Sequence, residues 1–130
     1  MKTLPTKRRA MVFCLAIAAL VSALTSGCGK SALPPPVTVT YRPSIVGVGM
    51  VIQISNTSSH HLYNVQVVGR NYDEVSSASV KATDHLEPYG VVEVGWMEFE
   101  AWVPQPGESV EVYCDDYATP YISVIPELTE

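Results

Sequence analysis

Cysteine is scarce in this chain, and its placement removes most of what there is. Of three cysteines in 130 residues, Cys14 sits in an apolar run near the start, Cys28 closes that run, and Cys114 alone lies in the remaining body. A single thiol makes no intrachain disulfide, so the folded part is held by its core. Positive charge is missing too: no Lys or Arg follows Lys81, whereas eleven Asp or Glu do. Such a surface repels phosphate backbones, which excludes nucleic acid as a partner of this body. Helical periodicity is also lacking after residue 28, where no stretch of ten or more residues spaces its apolar side chains for one helix face. The G-x-S-x-G, S-x-x-K, P-loop and D-x-D-x-D-G patterns do not occur, so the common nucleophile, phosphate and calcium loops find no support.

What is present begins with Lys2, Lys7, Arg8 and Arg9, a basic head with no acid among its first ten residues. Residues 11–23 then run apolar for 13 positions without a charge. That length suits the core of an export signal and falls short of the ~20 residues of a spanning helix. Arg8-Arg9 lacks the flanking residues of a twin-arginine signal, which favours the general export route. Leu24-Thr25-Ser26-Gly27-Cys28 follows and resembles the lipobox of bacterial lipoprotein precursors. In the commonest lipobox the leucine stands three residues before the cysteine; here Leu24 stands one position earlier. The resemblance implies cleavage between Gly27 and Cys28, lipidation of Cys28 by a diacylglycerol and a further acyl chain, and attachment to a membrane through that lipid. Two or more chains, at ~0.8 kcal/mol per buried methylene, give stable anchoring. It further implies an exported protein on the periplasmic or surface face of the cell membrane or outer membrane. Gly29 as the second mature residue resembles the outer-membrane default.

Cleavage would leave 103 of 130 residues, enough for one core and too few for two. Four of eight basic residues leave with residues 1–27 while all 13 acids stay, so the mature formal charge is 4 − 13 = −9. Residues 28–36 read as the lipidated cysteine and a Pro-rich tether, eight residues beyond Cys28 that reach at most ~25 Å.

Residues 37–130 read as all-β. Val37, Val39 and Tyr41 alternate on one face, as do Val48, Met50, Ile52 and Ile54, then Val65 and Val67 within a run over 62–72. A weak edge-like strand carries Val80 and Ala82. Strands over 91–99, 109–115 and 121–125 follow, separated by turns at 56–59, 86–90 and 104–107. About seven strands at this spacing predict an immunoglobulin-like β-sandwich. Asn56-Thr57-Ser58, Asn64-Val65-Gln66-Val67 and Leu86-Glu87-Pro88-Tyr89-Gly90 are similar to the turn and strand motifs of small FxLYD-type sandwich domains of bacterial envelope proteins. That resemblance covers about 55 residues and implies the fold alone.

Candidates for chemistry are few. Cys114 with His60, His61 or His85 would make a thiol–base pair, but it shares the register of Val110 and Val112, which predicts a buried, inert thiol. His60-His61 are neighbours on an extended chain and point to opposite faces, so they do not chelate one ion together. A soft copper site would need Met50, Met97 and Cys114 beside them. Asp73-Glu74, Asp84-Glu87 and Asp115-Asp116 are acidic pairs in turns, available in principle to calcium. Trp96 shares register with Val92 and Val94 and reads as core. Trp102, just before the Pro104 turn, reads as exposed, with Tyr113 beside it as a second member of an aromatic partner-binding site. The expectation is a non-enzymatic, lipid-anchored binding or accessory module without cofactor or metal, meeting an envelope protein or glycan. The alternative is a small calcium- or copper/zinc-binding envelope protein.

Overall fold

Strands form where β-branched residues alternate with polar ones, and they stop where glycine, proline or asparagine breaks the pleat. The computed structural model describes residues 29–71, 77–100 and 102–128. Residues 1–27, Cys28, the Asp73-Glu74 pair and Ser76 lie outside them. The chain divides into two compact units, Met1–Ser31 and Ala32–Glu130, and among the described residues the strands belong to the second. They are β1 (Val37–Pro43), β2 (Met50–Asn56), β3 (Leu62–Arg70), β4 (Ser77–Leu86), β5 (Val91–Gly95), β6 (Ser109–Tyr113) and β7 (Tyr121–Val124). One sheet has the order β1-β2-β5 and the other β4-β3-β6-β7, every pairing antiparallel. The expected all-β sandwich of seven strands is what forms. A constant-type immunoglobulin domain places its fourth strand beside the fifth; here β4 lies beside β3.

Both sheets turn their apolar rows inward. Val37, Ile52, Ile54 and Val94 from one meet Leu62, Val65, Val67, Val110 and Val112 from the other in a single buried cluster. The step from Leu62 to Val65 spans three residues, not two, because Asn64 takes a left-handed φ of 50°; beyond it the β3–β4 register slips between Val65 and Gln66, with Ala82 the extra residue on β4. The left-handed Asn64 thus keeps both apolar residues inside. On the open side of the sandwich, the Tyr41 hydroxyl of β1 donates to Ser123 Oγ of β7 at 2.8 Å.

Three expectations are corrected. Residues 32–36 are part of the domain, not free tether. Pro35 is fully buried, the Pro36 carbonyl accepts from Thr57 N at 2.9 Å and Oγ1 at 3.0 Å, and Thr119 Oγ1 donates to the Ala32 carbonyl at 2.9 Å. Val48 does not share the buried row of β2. It is wholly exposed in the 44–49 loop, because Gly47 turns with φ 76° and the strand begins only at Met50. The strand expected over 91–99 ends at Gly95, and a 3-10 turn, Trp96–Glu98, follows, with the Gly95 N–H donated to Glu98 Oε2 at 2.7 Å.

Candidate functional site

The sandwich has two ends of different chemistry. One end gathers the entry at Val37, the 57–61 and 87–90 turns and the 114–120 connection. The other gathers the 44–49 loop and the 96–108 segment, at the far end of β1.

The two tryptophans at that far end exchange the roles expected of them. Trp102 was expected to be exposed and is buried, with 6% of its surface accessible. Its ring fills the space above Gly69 in β3, where an added Cβ would lie 2.2 Å from the ring. It also meets Phe99 edge-on, centroids 4.8 Å apart at 83°, and its indole N–H donates to the buried Glu108 Oε2 at 3.3 Å. Trp96 leaves the register of Val92 and Val94 once the 3-10 turn begins. Half-buried, it lies against Gly47 and Gly49, where added Cβ atoms would come within 2.9 and 2.2 Å of the ring, and its Nε1 donates to the Val46 carbonyl at 3.0 Å. A small residue at 49 is therefore required for the ring to close over the loop.

Thus held, the loop presents an apolar tip. Ile45 is 95% exposed, Val48 100% and the neighbouring Met97 68%, with Val46 also exposed. Ser44 fixes the turn from within, its Oγ accepting from Val46 N and donating to Val46 O at 3.1 and 2.9 Å. Shallow recesses flank it, one against Trp96, Phe99 and Val103, the other against Met50, Pro104 and Leu128. The 44–50 stretch contains no charge. The tip was missed from sequence because Val48 continues the alternation of β2; the paired Gly47 and Gly49 were the available signal.

Tyr113 does not join Trp102. It stands half-buried on the outer face of β6, towards the other end, where its hydroxyl donates to Glu111 Oε2 at 2.9 Å and Arg70 Nε donates to Oε1 at 2.8 Å. Burial raises the Glu111 carboxyl, but these two bonds and the Arg70 charge outweigh it and hold the group below its ordinary value. Burial, followed by the bond to Glu111, raises the Tyr113 phenol.

Cys114 is buried as its register predicts, and burial followed by the charge of Asp115 pushes its thiol up to about 11. A thiol so placed is a poor nucleophile at neutral pH. The composite copper site does not assemble. Met50 is buried at the tip end, Met97 is exposed there, and Cys114 follows β6 at the opposite end. Asp115 instead accepts from Asn64 Nδ2 at 2.5 Å, and Asp84 pairs with Lys81. Among the described residues no three or more His, Cys, Asp or Glu converge on one point, and no helix is long and apolar enough to cross a membrane. His61 finds a partner outside its own turn: its Nδ1 lies 2.6 Å from His85 Nε2. Comparison with known proteins returns no matching family model, no matching curated protein and no matching solved structure.

Proposed function

We propose that this protein is a lipid-anchored, non-enzymatic contact module of the bacterial envelope, tethered through Cys28 and binding a partner protein with its apolar tip. The observation that carries the reading is the tip itself: Ile45, Val46, Val48 and Met97 stand in solvent together while a clamped tryptophan fixes their loop. Clustered exposed side chains of this kind mark interaction surfaces. Within the domain, the chain's entry at Val37 and the tip are at opposite ends of β1, whose seven residues at ~3.3 Å span ~20 Å. With residues 32–36 packed on the domain, little chain is left between Cys28 and the fold. A protein with an apolar recess suits this surface better than a glycan, because Trp102, which a sugar would need as a stacking platform, is inside the core. Acids around the tip, Glu98 and Glu100 among them, favour basic residues on the partner's rim.

The test is photo-crosslinking in cells from a reactive residue at Val48, with the same residue at Ser79 on the outer sheet face as comparison. A discrete protein adduct from 48 that is lost in Cys28→Ser and in Ile45→Asp supports the reading. Adducts that are alike from 48 and 79, adducts with lipid alone, or none, overturn it.

A further inference from the structure

We propose that His61 and His85 form a chelating site for a transition-metal dication, with Cu²⁺ bound most tightly. The site stands at the end of the sandwich where the chain enters at Val37 and is independent of the apolar tip.

Register brings the two histidines together. Leu62 pairs with Leu86 and Tyr63 with His85 across β3 and β4, so His61, Tyr63 and His85 share the outward face of one sheet corner. Leu62 and Leu86 are buried, which fixes that corner against the core. His61 Nδ1 and His85 Nε2 face each other at 2.6 Å. Two nitrogens bound side by side on one ion at ~2.0–2.1 Å are about 2.9 Å apart when they subtend a right angle. Opening the pair by a few tenths of an ångström meets that requirement, and both rings are at the surface.

The second ring is also held in place. Tyr63 stacks on His85 with centroids 5.1 Å apart at 14°, and His85 stacks on His61 at 4.8 Å and 20°. Thr83 Oγ1 brackets the His85 backbone, accepting from its N–H at 3.2 Å and donating to its carbonyl at 2.9 Å. Preorganisation of this kind lowers the ordering cost of chelation.

Imidazole pairs suit Cu²⁺, Ni²⁺ and Zn²⁺, and the general order of divalent affinities puts Cu²⁺ above both others. With two protein ligands, solvent fills the remaining positions, so the bound ion is exchangeable. The acidic body of the domain raises the local concentration of cations. His60, although adjacent in sequence, belongs to the turn, where its carbonyl accepts from Asn56 Nδ2 at 2.7 Å.

The experiment uses the full chain in detergent, stripped with a chelator and titrated with Cu²⁺, the copper being followed by electron paramagnetic resonance. The expected result is one saturable equivalent with two equatorial nitrogens. His61→Ala and His85→Ala should each leave one nitrogen and weaken binding at least about tenfold, while His60→Ala binds as wild type. His85→Gln, a milder change, should behave like His85→Ala, and circular dichroism without metal verifies that every variant is folded. Wild-type affinity in folded His61→Ala or His85→Ala, equal loss in His60→Ala, or no saturable binding by the wild type overturns the proposal.

Discussion

Replacing Trp102 by alanine should cripple the fold and not a binding surface. A buried aromatic hides roughly 150–250 Å², which at ~25 cal/mol per Å² is worth about 4–6 kcal/mol. Alanine keeps the Cβ and so retains part of this, but it leaves a cavity above Gly69, whose backbone has no side chain with which to fill it. The edge-on contact with Phe99 adds ~0.5–1.5 kcal/mol, and Glu108 loses the indole N–H that its buried carboxylate accepts. Taken with partial collapse of the site, the expected cost is about 3–5 kcal/mol, a large share of the ~5–15 kcal/mol that holds a small domain. Urea unfolding followed by circular dichroism measures it directly, and Trp102→Phe should cost only about 1–2 kcal/mol because the ring contact survives while the N–H is lost. A Trp102→Ala unfolding free energy lowered by less than about 1 kcal/mol, at unchanged urea dependence, would place the ring outside the core and refute the reasoning.

Three further outcomes follow from the same contacts. Asn56→Ala removes the donor to the His60 and Glu87 carbonyls and the acceptor of Ser58 N and Oγ. It should cost about 2–3 kcal/mol, read as a fall in melting temperature of roughly 10–20 °C. The Glu111 carboxyl lies below its ordinary value in the fold, so the stability it contributes is present above the unfolded value of about 4.3. That stability is lost as pH falls through the native value, and Glu111→Gln should flatten the acid limb of a stability–pH curve by removing this term. Cys114, pushed up to about 11, contributes stability below the unfolded thiol value of about 8.5 that is lost as pH rises through about 11. Alkylation at pH 8 followed by peptide mass analysis should leave Cys114 unmodified in the native protein and modify it in urea.

Alternation made most of the sandwich legible, since a period of two tells which side chains of Val37–Pro43, β3 and β6 face the core. It failed where backbone conformation breaks the period without a strong local signal. Val48 looks like one more member of the Met50, Ile52, Ile54 row, yet Gly47 and Gly49 place it in solvent. Trp96 and Trp102 exchanged places because two glycines far away in sequence decide which ring has room: Gly69 admits Trp102 to the core, and Gly49 admits Trp96 over the tip. An inward-facing glycine inside a strand is a sign of a close approach, and Gly69 was available to be read that way. Cys114 was readable because its register continues that of Val110 and Val112 without a break.

The histidine pair shows a different limit. His60-His61 stand side by side in sequence, ahead of β3, whereas His61 and His85 are 24 residues apart and meet only through strand pairing. Their meeting depends on the β3–β4 register, which slips between Val65 and Gln66. A one-residue change in that slip would turn His85 to the other face. The left-handed Asn64 and the buried Leu62–Leu86 pair are what hold it. Sequence spacing alone therefore carries no information about this site; it is created by strand register, and register is visible only once both strands are in place. The same reasoning separates the two proposed surfaces. The tip depends on Gly47, Gly49 and Trp96 at one end of β1, and the histidines on β3 and β4 at the other. Substitutions at Ile45 should therefore leave copper binding unchanged, and substitutions at His85 should leave crosslinking from position 48 unchanged.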